Sequence, residues 1–185
     1  MSATDPSRPI TLDAMAQGVR RLFASRATGA LAELRRLDVD CPIAAAFHAL
    51  LAEAAPDNLL AGDDLDLDAK TRRLARVAQV MALKPDGLAR KPLGAALQAI
   101  DYPEGRLAML LNAKGPTLDD LVRRAARRIA LSDEPMPYRD LGRLLVLAGR
   151  FERQKALDDL RISIARDYQR AAHKTAANSD KASAT

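Results

Sequence analysis

The chain has 185 residues, a formal net charge of +5 at neutral pH and a single cysteine, Cys41. One cysteine excludes an internal disulfide and fits a reducing cytosol. The first residues lack the charged and apolar regions of a signal peptide, and the longest uncharged apolar run, 41–52, is too short to span a bilayer. We therefore expect a cytoplasmic protein with no membrane partner, and the basic charge favours anionic partners.

The composition favours helices. Alanine and leucine supply 65 residues, whereas valine, isoleucine and threonine supply only 19. Alanine and straight-chain residues lose little rotamer freedom in a helix, and β-branched residues lose more. No stretch alternates apolar and polar residues over enough positions to predict a strand. The sequence predicts an all-α protein of about 8–9 helices, arranged as two small helical bundles packed in one compact protein.

The N-terminal part is expected to form the first of these bundles. Residues 1–9 carry two prolines and little apolar content, which predicts a disordered arm. A helical bundle over 10–113 follows, and an acidic loop at 56–69 with five aspartates interrupts it. In the helix predicted after this loop, Arg72 and Arg76 face outward.

The sequence Lys-Gly-Pro at 114–116 predicts a domain boundary. A second helical bundle is expected over 114–172, and Thr117 is the predicted N-cap of its first helix. The last helix carries Arg166 and Arg170 opposite its apolar stripe. The tail 173–185 is polar and is expected to be disordered.

The helix after this boundary contains four arginines within six positions, in the sequence DLVRRAARRIAL. At about 100° per residue, its apolar residues share one face. Arg123, Arg124 and Arg127 then project from the opposite face, and Arg128 lies on the flank beside Leu121. Four neighbouring like charges repel one another unless an anion neutralises them. The pattern fits either a solvated arginine face or a surface that contacts phosphates.

Nucleic-acid recognition through exposed aromatic rings is not expected. The chain has six aromatic residues, and at least four of them fall on core positions, whereas base-stacking proteins need exposed rings. Contacts are therefore predicted to run from arginine to phosphate and to be largely blind to sequence. No zinc-finger, P-loop or other cofactor or metal motif is present.

Several short segments share their order with one known family. Residues 29–36 read GALAELRR, which is similar to the pattern G-x-x-A-x-L-R-R, and residues 93–97 read LGAAL where L-G-R-A-L is usual. The RLAMLL of residues 106–111 matches R-x-x-x-L-L, and the IARDY of residues 164–168 resembles W-A-R-D-Y. In this order and spacing the chain resembles the CasB family, the small subunit of Cascade, the type I-E CRISPR effector complex.

This resemblance implies two small helical bundles and no catalytic role. It implies as partners the backbone and large subunits of Cascade, the crRNA, the target and displaced single-stranded DNA, and a second copy of the chain. No catalytic residue, metal or cofactor is implied. Through its matching motifs, the resemblance assigns four residues as nucleic-acid contacts: Arg35, Arg36, Arg106 and Arg127. Helix geometry alone adds six outward arginines, for which a solvated or salt-bridged role is equally open: Arg72, Arg76, Arg123, Arg124, Arg166 and Arg170.

Two alternatives compete with this interpretation. Arg166 and His173 fall on one helix face at a spacing that resembles the R-x4-6-H pattern of HEPN-type ribonucleases, which predicts metal-independent RNA cleavage. The chain is otherwise compatible with a purely structural helical adaptor whose basic face meets an acidic protein. No other catalytic arrangement can be placed in the sequence.

Overall fold

The structure of the protein, a computed structural model, describes residues 12–54 and 66–183, apart from the side chains of 151 and 178–183. Over these residues the protein is all-α, with nine α-helices and no β-strand, so the predicted fold class is confirmed. Contacts divide the chain into two compact units, Met1–Leu88 and Ala89–Thr185. The predicted arm at 1–9 lies outside the described residues.

The first unit contains four described helices, and each contributes apolar side chains to its core. They are α1 (Leu12–Ala24), α2 (Thr28–Arg35), α3 (Ala45–Ala54) and α4 (Leu67–Ala82). Helix α1 contacts the other three, and α2 packs against both α3 and α4. The fully buried side chains from the first, second and third helices include Met15, Leu34 and Phe47.

Helix α4 begins earlier than the sequence predicts. The side chain of Asp66 is the N-cap and accepts a hydrogen bond from the amide of Ala69 over 2.6 Å. An aspartate is among the best residues for this position because it satisfies an unpaired amide of the first turn. Residues 67–69 are therefore helical instead of belonging to the acidic loop predicted at 56–69. The rest of that loop, up to residue 65, lies outside the described residues.

The second unit contains five helices. They are α5 (Leu93–Ala99), α6 (Glu104–Asn112), α7 (Gly115–Ala130), α8 (Tyr138–Leu147) and α9 (Gln154–Ser183), with a short 3₁₀ helix (Phe151–Arg153) before the last. Helix α9 packs against α5, α6 and α8, and α7 packs against α5, α6 and α8. Helices α7 and α9 are thus the two long elements around which the short helices are arranged.

The contact between α5 and α9 requires a glycine. A Cβ atom added to Gly94 in α5 would lie 2.1 Å from the carbonyl oxygen of Ile164 and 2.6 Å from the amide nitrogen of Tyr168 in α9. Both neighbours are main-chain atoms, which cannot move without shifting the helix. Gly94 therefore allows α5 to pack directly against the backbone of α9.

Because of this contact, the domain boundary in the structure differs from the predicted one. The sequence places α5 and α6 in a bundle over 10–113 and the second bundle at 114–172. In the structure both helices pack on α7 and α9. The division between the two units therefore falls after Leu88. Ala113 and Lys114 form the short connection between α6 and α7 within one unit. Gly115 adopts a left-handed φ of 54°, which glycine tolerates at no steric cost.

The ends of two helices also differ from the prediction. Helix α7 begins at Gly115, with Lys114 as the N-cap and Pro116 in the first turn, so Thr117 lies inside the helix. Proline is well suited to the first turn because it has no amide hydrogen to leave unpaired. Helix α9 continues to Ser183, although 173–185 was expected to be disordered. Propagating an existing helix costs little when the added residues are good helix formers, and this segment is rich in alanine.

Candidate nucleic-acid interface

The positive charge of the chain is concentrated in the second unit. Residues 89–185 contain 18 basic and 12 acidic residues, whereas residues 1–88 contain 11 basic and 12 acidic residues. The second unit therefore has a formal charge of +6 and the first a charge of −1. The helices of the second unit are therefore the more favourable place for an anion-binding surface.

Helix α7 exposes two of the three arginines that its sequence places on the outward face. Its buried side is apolar and consists of Leu118, Val122, Ala125, Ala126 and Ile129. Arg124 and Arg127 are exposed, and Arg123 and Arg128 are half-buried. The Nε atom of Arg123 is enclosed and has no hydrogen-bond partner among the described residues. The amphipathic pattern thus fixes α7 with Arg124 and Arg127 in solvent.

The connection between α5 and α6 brings a second set of side chains next to α7. Helix α5 ends in a Schellman motif, in which the amide of Tyr102 donates to the carbonyl of Leu97 over 3.0 Å and the amide of Asp101 donates to the carbonyl of Gln98 over 2.9 Å. Asp101 takes the left-handed conformation that this motif requires, with a φ of 50°. Pro103 then starts α6, and Tyr102 is buried between the two helices at 3% exposure.

A groove of about 370 Å³ lies between this connection, α6 and α7. Tyr102, Arg106 and Met109 line one side, and α7 supplies Leu121, Arg124 and Arg128. Within the part of the chain that the structure describes, no acidic side chain lines it. Three guanidinium groups from two helices therefore border one partly apolar groove.

Arg128 is held in place at the Tyr102 end of this groove. Its guanidinium carbon lies 5.7 Å from the centre of the Tyr102 ring, a cation–π geometry. Its Nη2 atom also donates to the carbonyl oxygen of Asp101 over 3.4 Å. The Schellman motif and α7 thus fix the position of one guanidinium group before any ligand is present.

The electrostatics of the groove favour an anion. Burial raises the pKa of Tyr102, and the charges of Arg106, Arg128 and Arg124 oppose that rise without cancelling it. Tyr102 therefore remains uncharged at neutral pH and cannot neutralise the arginines. Within residues 12–54 and 66–183, no ion pair involves Arg106 or Arg124. A phosphate placed in the groove would meet positive charge that the described residues leave unneutralised.

The predicted site residues of the second unit are only partly brought together. Arg106 and Arg124 meet at the groove, and Arg123 and Arg127 lie on the same helix as Arg124. Arg166 and Arg170 are exposed on α9. Arg170 lies near a carboxylate, with its Nη1 atom 3.7 Å from Oδ1 of Asp167, and neither residue lines the groove.

The four predicted residues of the first unit have other surroundings. The Nε atom of Arg35 donates to the carbonyl oxygen of Ala82 over 2.7 Å, which ties the end of α2 to the end of α4. Arg36 is exposed after the end of α2, whereas Arg72 and Arg76 are half-buried on α4. Arg35 therefore has a structural role that its motif did not indicate.

The groove contains residues that the sequence did not assign to the site, namely Arg128, Leu121, Met109 and Tyr102. Arg128 follows Arg124 by four positions, and residues with this spacing are neighbours on a helix surface, so the signal for it was present. Met109 and Tyr102 gave no such signal. Their role depends on the packing of α6 against α7, which no local pattern reveals.

Other features of the described residues concern what an enzyme or a membrane protein would need. Arg166 and His173 are both exposed on α9, as the ribonuclease alternative requires. Among the described residues, no group of three or more histidine, cysteine, aspartate or glutamate side chains is arranged to hold a metal ion. None of the helices in that part of the chain has the length and apolar character needed to cross a bilayer.

A comparison of the chain with protein-family models, characterised proteins and solved structures finds no match in any of the three.

Proposed function

We propose that this protein is a non-catalytic small subunit of a type I-E CRISPR surveillance complex and that it binds nucleic acid through phosphate groups. One observation carries the binding part of this proposal. Arg106 on α6 and Arg124 and Arg128 on α7 border one groove, and none of the described residues that line it is acidic. A solvated arginine face would not require guanidinium groups from two helices to converge.

The CRISPR part of the proposal is supported by the order of the short motifs along the chain and by the all-α architecture in two units. The proposed partners are the crRNA, the target and displaced DNA strands, the backbone and large subunits of the complex, and a second copy of the chain. The proposed setting is antiviral defence in the cytoplasm.

The physical task of such a subunit is to favour strand opening. Replacing a DNA duplex by a guide RNA–DNA heteroduplex is nearly balanced in free energy. A protein that binds the opened strands more tightly than the closed duplex shifts this balance by its differential affinity. Contacts to phosphates are sufficient for this task, since the guide RNA already reads the sequence.

The test compares two charge reversals of equal size in the complete complex. Arg124→Glu/Arg127→Glu changes two exposed residues of α7, and Arg139→Glu/Arg143→Glu changes two exposed residues of α8 that do not line the groove. Tagged variants are purified with their partners, the RNA that co-purifies is sequenced, and target-strand opening is followed by chemical footprinting of unpaired bases.

The proposal predicts that the α7 variant joins the complex but opens the target poorly, while the α8 variant opens it normally. Loss of assembly with unchanged strand binding would instead support a structural adaptor. Cleavage of RNA by the wild-type protein that disappears in His173→Ala would support the ribonuclease alternative.

A further inference from the structure

The groove bordered by Arg106, Arg124 and Arg128 has an apolar part that phosphate binding alone does not explain. Met109 projects from α6 with 61% of its surface exposed, and Leu121 is half-buried on α7. Both line the same groove as the three arginines. Phosphate binding alone does not require an exposed methionine beside the guanidinium groups.

We infer that this groove holds one unstacked nucleotide of a single strand, with its base against Met109 and Leu121 and its phosphates on the arginines. The inference rests on the proposed function, because it names the form of nucleic acid that the same site accepts. It requires no exposed aromatic ring. Thioether and aliphatic groups contact a base face through dispersion, and the planar guanidinium group of arginine stacks on bases as well.

The size and the charges of the groove select the occupant. A volume of about 370 Å³ lies near the lower end of the range of about 300–1,000 Å³ for small-molecule sites. It is suited to one nucleotide and too small for a duplex. Bases in a duplex are also stacked and paired, so they cannot enter such a groove without being extruded. The groove should therefore distinguish single strands from duplexes.

The residues of the groove have separate tasks in this arrangement. Arg128 is already fixed by the Tyr102 ring and by the carbonyl oxygen of Asp101, so it provides a positioned charge at one end. Arg106 and Arg124 are exposed and are able to follow the backbone of the strand. Tyr102 is covered by Arg128 and buried, which leaves Met109 as the accessible apolar surface.

The experiment measures the binding of the full-length protein to two 12-nucleotide probes by fluorescence anisotropy. One probe is oligo(dT), and the other has the same backbone with abasic sites throughout, so that only the bases differ. The wild-type protein should bind oligo(dT) up to about ten-fold more tightly than the abasic probe, as expected for the contact of one methionine thioether with the face of a ring.

Two truncations with no change of charge provide the internal comparison. Met109→Ala should remove most of the preference for oligo(dT) and leave the affinity for the abasic probe unchanged. The matched control is Ile162→Ala, on α9, where the side chain is similarly exposed at 56% and does not line the groove. This variant should behave as the wild type with both probes.

Equal binding of the two probes by the wild type would overturn the inference and leave the proposed function in place, because phosphate binding would remain. Equal losses in Met109→Ala and Ile162→Ala would overturn it as well. If the wild-type protein binds neither probe, the inference fails together with the phosphate contact on which it rests.

Discussion

The hydroxyl group of Tyr168 donates a hydrogen bond to the main-chain carbonyl oxygen of Tyr102 over 2.6 Å. This bond joins α9 to the connection between α5 and α6. There Tyr102 lines one side of the groove bordered by Arg106, Arg124 and Arg128. The shape of the groove therefore depends on a helix that contributes no side chain to its lining.

Tyr168→Phe should lower the free energy of unfolding by about 1–2 kcal/mol, because it leaves the buried carbonyl oxygen of Tyr102 without its donor. The measurement is chemical denaturation at neutral pH. Tyr102→Phe is the matched control, since the acceptor belongs to the main chain and survives that substitution. An equally large loss in both variants would mean that the removal of a buried tyrosine hydroxyl group in general, and not the loss of this hydrogen bond, accounts for the effect.

The same tyrosine predicts a loss of stability at high pH. Burial raises the pKa of Tyr168 above its ordinary value, and the nearby Glu104 and Asp101 raise it further. In the unfolded chain tyrosine loses its proton near pH 10, whereas the folded protein retains it to higher pH. The unfolded state then binds fewer protons, so the stabilising contribution is complete below pH 10 and is lost as the pH rises through the folded-state pKa.

Denaturation of the wild type and Tyr168→Phe at pH 8 and at several values above pH 10 measures this effect. The difference in the free energy of unfolding between the two proteins should be constant below pH 10 and should shrink above it. Lysine residues also titrate in this range, and comparison with the variant removes their shared contribution. A difference that stays constant to pH 11 would contradict the assigned rise in pKa.

Gly94→Ala should destabilise the second unit by about 3 kcal/mol, the upper part of the range for overpacking. The added methyl group would collide with main-chain atoms of Ile164 and Tyr168, which do not yield as a flexible side chain does. Gly105→Ala, in α6, is the matched control because a Cβ atom there meets nothing within 4 Å. It should leave the free energy of unfolding unchanged or raise it by up to about 1 kcal/mol.

Thermal unfolding followed by circular dichroism measures both glycine variants. Similar melting temperatures for Gly94→Ala and Gly105→Ala would show that α5 does not need to approach the backbone of α9 this closely.

The sequence predicted those features that depend on local periodicity. The all-α class and the arginine face of α7 follow from the spacing of apolar residues within single helices. The groove could not be predicted in the same way, because Arg106 meets Arg124 only through the packing of α6 against α7. The domain boundary was misplaced for a similar reason, since the contact of Gly94 with Ile164 joins residues far apart in the chain.

The C-terminal tail and Arg35 show two other limits of prediction from the sequence. The polar composition of 173–185 suggested disorder, but α9 continues to Ser183, because a helix that is already nucleated needs little burial to continue. Arg35 lies in a basic motif that suggested a nucleic-acid contact. The hydrogen bond from its Nε atom to the carbonyl oxygen of Ala82 depends on where α4 ends, which the motif does not specify.

Arg35→Ala should lower the free energy of unfolding of the first unit by about 1 kcal/mol, because the carbonyl of Ala82 at the end of α4 loses its charged donor. Arg36→Ala is the control, since Arg36 is the next residue and is also exposed. Chemical denaturation should place the Arg36 variant within about 0.5 kcal/mol of the wild type. The reverse order of the two effects would contradict a structural role for Arg35.

The salt dependence of binding distinguishes a groove from a diffuse basic surface. Each phosphate neutralised on a single strand contributes about 0.7 to the slope of log affinity against log salt concentration. Arg106→Ala/Arg124→Ala should therefore lower the slope for oligo(dT) by about 1.4, if each arginine contacts one phosphate. Arg139→Ala/Arg143→Ala removes the same charge from exposed positions outside the groove and should leave the slope close to that of the wild type. Equal reductions of the slope by the two pairs of substitutions would mean that binding depends on the total charge of the unit. The convergence of arginines from α6 and α7 would then not contribute specifically to binding.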